Sequence, residues 1–162
     1  MIVVVLGGTR SGKSEVAERI AAELGGPVTY VATAVAGEDP EFAARIAAHR
    51  ERRPAAWTTV EAPVDLPALL REVDGTVLVE STGTWIAAQP DLEGDVDGLC
   101  RAARGRHGDT VFVGEEVGLS VHPPTEVGRR FVDAVGACNR SLADVADRVL
   151  LVVAGHTLEL DG

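Results

Sequence analysis

Five short segments of the chain are dominated by apolar residues, and most are flanked by polar residues, glycine or proline. They span residues 2–6, 28–32, 76–80, 110–114 and 148–153. Segments that are apolar throughout, instead of at alternate positions, are typical of strands buried on both faces, as in a parallel sheet. A sixth stretch, at 57–61, is also predicted to be extended. The pattern therefore predicts a sheet of mainly parallel strands.

Between these segments, apolar residues recur at helical spacing. In the segment from Glu15 to Leu24, Val16 and Ile20 continue a four-residue repeat, while charged residues such as Glu18 are predicted to face away. Similar signals predict helices from Asp39 as N-cap to about Arg52, from Leu66 to Glu72, from Leu99 to Arg104 and from Glu126 to Ala146. Alternating strands and helices predict an α/β fold, a doubly wound, mainly parallel sheet with helices on both faces. A length of 162 residues indicates one domain, covering 1–162.

A glycine-rich segment joins the first predicted strand to the first predicted helix, and it matches the phosphate-binding pattern GxxxxGK[ST] in full. Its residues are Gly7, Gly8, Thr9, Arg10, Ser11, Gly12, Lys13 and Ser14. Lys13 is the only lysine among the 15 basic residues. A compact ammonium can reach between phosphate groups in a way that a planar guanidinium cannot.

The order of strand, glycine loop and helix is the context that this pattern needs. In it, backbone N–H groups and the helix N-terminus cradle the phosphates, Lys13 neutralises them and the Ser14 hydroxyl ligates Mg²⁺. The alternative is a glycine-rich turn with a stray lysine. The agreement of motif and flanks favours a P-loop NTPase-like nucleotide-binding catalytic domain that uses GTP or ATP.

Acidic residues end two of the predicted strands. Glu80 closes one, and Glu115 and Glu116 follow another. In α/β sheets the carboxyl ends of the strands form the functional edge, where P-loop enzymes hold Mg²⁺ or its water shell. Glu80 is the metal-binding candidate together with Ser14, and Glu115 or Glu116 could compete with it. An ordinary acidic residue in a turn is the open alternative for Glu80.

The helix predicted from Asp39 carries a histidine and several arginines. His49 shares an apolar stripe with Phe42 and Ile46, and such a histidine is more often a hydrogen-bonded core residue than a reactive one. A cluster of arginines close by could supply local positive charge to a nucleotide or could simply face solvent. It comprises Arg45, Arg50, Arg52 and Arg53.

Composition narrows the classes of partner. The net charge of −10 argues against nucleic acid or an anionic membrane as partner, because both bind broad basic patches. No apolar stretch approaches the roughly 20 residues that span a bilayer, and no signal peptide is visible. The two cysteines, Cys100 and Cys138, are too few for a disulfide framework, so a cytoplasmic location is expected.

Nearly the whole chain resembles the bifunctional adenosylcobinamide kinase and adenosylcobinamide-phosphate guanylyltransferase family of cobalamin biosynthesis. The glycine loop alone would indicate only a superfamily, whereas the spacing RIxxHxxxRPxxW is specific to this family. The matching pieces are 7–14 with Ala17-Glu18, 30–34, Arg45-Ile46 with His49, Arg53-Pro54, Trp57, Thr59, Glu61, 116–118, Pro123, Arg130-Phe131, Asp133, Gly136, Asn139, Leu142-Ala143, Ala146-Asp147, Val149 and 151–155.

This resemblance implies an enzyme that uses GTP or ATP with Mg²⁺. It phosphorylates the aminopropanol hydroxyl of adenosylcobinamide, and then passes GMP from GTP, through His49, to adenosylcobinamide phosphate. It implies Lys13 and His49 as the catalytic residues and a homo-oligomer, possibly a trimer with a shared active site. The residues that it places around the nucleotide, beyond the glycine loop, are Thr33, Ala34, Val35, Arg50, Glu51, Arg52, Arg53, Glu61 and Glu80.

The chain also departs from the family pattern. Glu115 stands where the family commonly has asparagine, and 85–90 replaces a Trp-x-x-Asn-Leu segment. The helical region that follows is shortened. These departures affect the segments expected to act in the kinase step and to contact the corrinoid. The nucleotide-binding core matches the family pattern.

Two other classes of function remain as alternatives. A P-loop kinase of another small metabolite would transfer phosphate without any protein–GMP adduct. A GTP-binding switch protein fits poorly, because the Asn-Lys-x-Asp motif that reads guanine in such proteins needs a second lysine.

Overall fold

The computed structural model describes residues 1–34, 43–44, 46–47, 50–51, 53–61 and 65–160. Within these residues the strands are β1 Ile2–Gly7, β2 Val28–Ala32, β3 Thr58–Glu61, β4 Thr76–Glu80, β5 Thr110–Glu115, β6 Arg148–Val153 and β7 His156–Leu160. The helices are α1 Lys13–Leu24, α2 Leu66–Glu72, α3 Thr82–Ala87, α4 Val96–Gly105 and α5 Glu126–Ala143, with a short 3₁₀ turn at Pro90–Leu92.

The strands form one seven-stranded sheet in the order β3-β2-β4-β5-β1-β6-β7. All neighbouring pairs are parallel except β6 and β7, which are antiparallel. The five predicted apolar strands and the extended stretch near 57–61 are confirmed. The α/β fold class with helices on both faces is confirmed as well.

Each face of the sheet has its own apolar core, because successive strand residues point to opposite sides. On one face Val3 and Val5 pack with Val16 and Ile20 of α1. On the other, β-strand residues such as Phe112 pack against helices α2 to α5. Each aliphatic side chain that is fully buried contributes about 1.5–3 kcal/mol relative to exposure. The two cores fix the sheet as the rigid platform for the loops above it.

Several predicted boundaries were wrong, for local reasons. Helix α4 begins at Val96 instead of Leu99, because the Asp95 side chain caps it by accepting from the backbone N–H of Gly98 (2.8 Å). Helix α5 ends at Ala143, three residues before the predicted end at Ala146. Helix α3 was not predicted because it has only six residues. Hydrogen bonds between Ser81 and Thr84 at its start stabilise it.

Strand β7 was also missed. Its residues alternate between polar and apolar and are all exposed, so it lacks the continuous apolar signature of the buried strands. The helix predicted between Asp39 and Arg52 is seen at 43–44, 46–47 and 50–51, which are helical. Its predicted N-cap at Asp39 and its end at Arg52 lie outside the described residues.

Parallel pairing brings the carboxyl ends of the central strands to one edge. In the register, Gly7 lies opposite Glu115, and Glu80 lies opposite both Val113 and Ala32. This edge therefore collects the glycine loop and both predicted acidic strand ends in one place.

Candidate active site

The glycine loop turns directly from β1 into α1. Gly12 precedes the helix with φ 91°, a left-handed conformation that favours glycine, and no side chain caps the helix at this point. The first backbone N–H groups of α1 therefore point toward the loop with the positive end of the helix dipole behind them. Such an arrangement is suited to binding phosphate.

The loop is held from two sides. The backbone N–H of Gly155, in the turn between β6 and β7, donates to the carbonyl of Ser11 (2.8 Å), and Ser11 N–H donates to Gly8 O (3.3 Å). Lys13 is buried, and its Nζ donates to Gly8 O at 3.4 Å, a long bond. The ammonium is thus folded against the loop and is weakly held, so a phosphate can compete for it.

Ser14 and Glu80 meet above the sheet edge, as predicted. Ser14 Oγ donates to Glu80 Oε1 at 2.8 Å. The other carboxylate oxygen, Glu80 Oε2, is closed to solvent and has no hydrogen-bond partner among the described residues. Burial raises the pKa of Glu80 to about 7, opposed by the Ser14 hydrogen bond and reinforced by the charge of Glu115. A cation at this position would stabilise the charged carboxylate.

A turn ties the ends of β2 and β4 together beside this pair. The Glu80–Ser81 peptide bond in it is cis. Thr33 Oγ1 donates to Ser81 O (2.6 Å) and accepts from Ser81 N–H (2.7 Å), and it lies 2.5 Å from Thr84 Oγ1. Thr33 was predicted to border the nucleotide. Its hydroxyl fixes the turn that carries Glu80, and a contact between Thr33 and the nucleotide stays a prediction.

The Ser14–Glu80 pair forms one wall of the site. A cluster of aromatic and arginine side chains forms the opposite wall. The guanidinium carbon of Arg53 lies 4.0 Å from the ring centroid of Tyr30, and Arg53 Nη1 is 3.8 Å from Glu61 Oε1. Arg50 also forms an ion pair with Glu61. Three of the predicted nucleotide-binding residues therefore meet in the structure. Glu51, which follows Arg50, is helical and exposed.

Two polar atoms of this wall are closed to solvent without a hydrogen-bond partner among the described residues, namely Tyr30 Oη and Arg53 Nε. Burial, reinforced by the charge of Glu80, raises the pKa of Tyr30 above its ordinary value, so its hydroxyl stays protonated at neutral pH. Sequence reasoning missed Tyr30 as a site residue. Its signal was that the only tyrosine of the chain lies near the carboxyl end of a predicted strand.

Between these walls lies a cavity of about 570 Å³, including its open mouth. It brings the two walls, the glycine-loop end and the strand ends together. Its lining comprises Lys13, Ser14, Tyr30, Ala32, Ala34, Ile46, Arg53, Glu80, Ser81, Thr84 and Glu115. Ala34, one of the predicted nucleotide-binding residues, is therefore part of this wall.

The two acidic residues at the end of β5, Glu115 in the strand and Glu116 directly after it, face different spaces. Glu115 lines the cavity, whereas Glu116 lines an outer groove of about 970 Å³ with residues 8–11, 117, 119–120 and 151–154. The Glu116 carboxylate accepts from Gly118 N–H at 2.7 Å. Of these two alternatives to Glu80, the geometry favours Glu115. Arg10, with φ 58°, also lines the outer groove.

One predicted orientation was wrong. Glu18 of α1 does not face solvent but is half-buried, and its charge contributes to the pKa shifts of Tyr30 and Glu80. The predicted His49, Val35, Arg45 and Arg52 lie outside the described residues. Among the described residues, no group of three or more His, Cys, Asp or Glu side chains is arranged to hold a metal ion.

No helix among the described residues is long and apolar enough to cross a membrane. Among solved structures, the chain is similar to an ATPase of a bacterial type III secretion system, with a TM-score of 0.53 and 10% identity. The match covers 93% of this chain but only 50% of that one. This likeness supports the P-loop NTPase-like fold.

Similarity to curated proteins extends over the full length. The chain is 42% identical over 168 residues to the bifunctional adenosylcobalamin biosynthesis protein CobP of Pseudomonas aeruginosa, covering 98% of this chain and 96% of the relative. It is 32% identical to the protein CobU of the same description from Escherichia coli, over 96% of this chain and 97% of the relative. The family described as cobinamide kinase / cobinamide phosphate guanyltransferase matches residues 3–160. The chain belongs to the cobinamide kinase / cobinamide phosphate guanyltransferase family.

Proposed function

We propose that this chain is a bifunctional enzyme of adenosylcobalamin biosynthesis. It first transfers the γ-phosphate of GTP or ATP to the aminopropanol hydroxyl of adenosylcobinamide. It then transfers GMP from GTP to adenosylcobinamide phosphate, giving adenosylcobinamide-GDP. The observation that carries the proposal is the glycine loop, with Lys13 and the Ser14–Glu80 pair, opening onto a cavity in a chain of this family.

In the first step the protein mainly positions and neutralises charge, because phosphoryl transfer needs little covalent participation by the enzyme. The N–H groups at the start of α1 bind the phosphates, and Lys13 leaves the Gly8 carbonyl to contact them. The acceptor hydroxyl approaches through the cavity, whose walls exclude water that would otherwise compete as an acceptor.

The residues present fit a divalent cation. The Ser14 hydroxyl and the Glu80 carboxylate are hard oxygen donors 2.8 Å apart, and Glu80 Oε2 has no hydrogen-bond partner among the described residues. We assign Mg²⁺ to these two residues. When bound, Mg²⁺ neutralises the charge that develops on the phosphate oxygens. Among the described residues, no group of three or more His, Cys, Asp or Glu side chains is arranged to hold the ion. The bound nucleotide would therefore supply further ligands.

In the second step we assign the nucleophile to His49, on the strength of the family spacing. A neutral imidazole nitrogen attacks the α-phosphorus of GTP, the bond to the β-phosphate breaks, and pyrophosphate leaves. The phosphate of adenosylcobinamide phosphate then attacks the same phosphorus and breaks the P–N bond. The neighbouring Ile46 and Arg53 line the cavity, which supports this assignment.

The proposal extends to assembly. A homo-oligomer, possibly a trimer with an active site shared between subunits, and a cytoplasmic location stay predictions. Neither nucleic acid nor a membrane is expected as partner, given the net charge of −10.

The covalent intermediate gives the decisive test. The protein is incubated with α-labelled GTP and Mg²⁺ without acceptor, denatured, and treated separately with acid and alkali. We expect label that survives alkali and is lost in acid, as a phosphoramidate requires, and that is absent from His49→Asn. The matched control is His156→Asn, which makes the same change at an exposed strand residue. It should label like the wild type.

Absence of label, with phosphorylation of a small-molecule hydroxyl intact, would leave a P-loop kinase without guanylyltransferase activity. Label that persists in His49→Asn would move the nucleophile to another residue.

A further inference from the structure

Two carboxylates lie at the ends of neighbouring strands and line the same cavity. Glu80 ends β4 and Glu115 ends β5, and these strands are paired in parallel. A second negative charge at a phosphate-binding cavity is unfavourable unless something compensates for it.

Glu115 is held firmly in this position. Its Oε2 accepts from the backbone N–H of Gly83 at 3.0 Å, and its backbone carbonyl accepts from Asn139 Nδ2 at 2.9 Å. Gly83 has no side chain to obstruct the carboxylate, and a Cβ at that position would lie 2.1 Å from Oε2. A neutral amide could accept the same hydrogen bond, so this contact alone does not require a charged residue.

The surroundings indicate what the charge does. Glu80 Oε2, on the neighbouring strand end, is closed to solvent and lacks a hydrogen-bond partner among the described residues. Among the described residues, the basic side chains that line the cavity are Lys13 and Arg53, and these two positive charges cannot balance both a polyphosphate and two carboxylates. A divalent cation bound together with the nucleotide would balance them.

We propose that Glu115 couples nucleotide binding to a divalent cation: it repels nucleotide that arrives without the cation and, with Glu80, attracts the cation–nucleotide complex. The inference rests on the proposed function, because it assumes that the cavity receives the phosphates of a nucleotide. The described residues alone do not form a three-ligand metal site, which agrees with a cation that binds only together with the nucleotide.

The test compares dissociation constants for GDP, which carries no transferable γ-phosphate, measured by titration calorimetry in EDTA and in Mg²⁺. The variant is Glu115→Gln, which keeps an acceptor for Gly83 and removes the charge. We expect metal-free GDP to bind this variant about tenfold more tightly than the wild type, because one repulsive charge is gone. The ratio between the Mg²⁺ and EDTA constants should shrink by a similar factor.

A direct metal readout accompanies it. Mn²⁺ bound to the protein–GDP complex is measured by electron paramagnetic resonance, and its affinity should fall in Glu115→Gln. The control is Glu72→Gln, which removes an equal charge from an exposed residue at the end of α2, away from the glycine loop. The ratio of the GDP dissociation constants of this control in Mg²⁺ and in EDTA should match the ratio of the wild type. Thermal unfolding of both variants checks that the fold is intact.

An unchanged ratio in Glu115→Gln, or an equal change in Glu72→Gln, would overturn the inference. If the Gln variant fails to fold, Glu115→Asn, which removes the same charge with a shorter side chain, replaces it in the same comparison. The proposed function is judged separately, by phosphoryl transfer from Mg²⁺–GTP in the wild type. A wild type that transfers phosphate while the ratio stays unchanged refutes only the role of Glu115.

Discussion

The two edges of the sheet differ in whether their partly or fully buried polar groups have hydrogen-bond partners. At the amino edge, the Arg106 guanidinium donates to the carbonyls of Leu70 (3.2 Å), Val73 (2.7 Å), Gly75 (2.9 Å) and Asp109, and to Thr110 Oγ1 (3.1 Å). This one side chain joins the end of α2 to the starts of β4 and β5. Its donors are used to hold the fold together.

At the carboxyl edge, polar atoms are closed to solvent without such partners. Among the described residues these include Tyr30 Oη, Arg53 Nε and Glu80 Oε2, and all three residues line the cavity. Burying a polar group without a hydrogen bond is unfavourable, so unpaired groups gathered in one cavity indicate a site for a polar ligand. The hydrogen bonds at the amino edge serve the fold, and the carboxyl edge is where we propose that ligand chemistry takes place.

The largest effect is expected from a substitution at the carboxyl edge. Lys13→Ala should reduce kinase turnover by about 10³-fold or more, because no other lysine can replace the ammonium at the phosphates. Stability should change little, since among the described residues Nζ has only the long hydrogen bond to Gly8. Turnover is measured with labelled GTP, and stability by urea denaturation. Lys13→Arg is the matched control that keeps the charge, and it should also be impaired because a planar guanidinium does not fit the loop. Undiminished turnover in Lys13→Ala would show that the loop does not bind the reacting phosphates.

The second largest effect is expected from a substitution at the amino edge. Arg106→Met should lower the free energy of unfolding by about 2–4 kcal/mol, because several carbonyls lose a charged donor at once. Nucleotide affinity of the folded protein should be unchanged. The control is Arg148→Met, which breaks an exposed ion pair with Glu159 and should lower the free energy of unfolding much less than Arg106→Met does. Equal losses in the two variants would contradict the distinction between saturated and exposed arginines.

The smallest effect compares two buried hydroxyls on the same edge. Tyr30→Phe removes an unpaired hydroxyl, so stability should stay within about 0.5 kcal/mol or rise slightly, whereas Thr33→Val removes a paired one and should cost about 1–3 kcal/mol. Nucleotide binding should weaken in Tyr30→Phe if the hydroxyl meets the ligand. Urea denaturation measures the stability of the two variants, and titration calorimetry measures their nucleotide affinity. A clear loss of stability in Tyr30→Phe would mean that its hydroxyl serves the fold.

The parts that the sequence predicted well are those encoded by neighbouring residues. The glycine loop could be read directly because its eight residues are consecutive and each type has a local reason. The buried strands were equally clear from their apolar runs. Strand β7 and helix α3 could not be read in this way, because the first is exposed and the second depends on short-range hydrogen bonds in the turn after Glu80.

The cavity could be predicted only in part. Glu80 and Ser14 were expected at one edge and meet there. The separation of Glu115 from Glu116, and the place of Arg53 over Tyr30, depend on strand order and on contacts between distant segments. Local patterns do not specify these, so the sequence left Glu115 and Glu116 as equal alternatives. The expected role of His49 is untested by the described residues.

The central position of β1 has a consequence for how the protein is made. Its two neighbours are β5 and β6, so Ile2 pairs with Thr110 and Val3 with Arg148. The glycine loop is further supported by Gly155. During synthesis the first strand therefore emerges from the ribosome more than a hundred residues before its partners, with both edges unpaired. The glycine loop therefore reaches its final support only after Gly155 has been synthesised, and until β5 and β6 are available β1 has no strand partner.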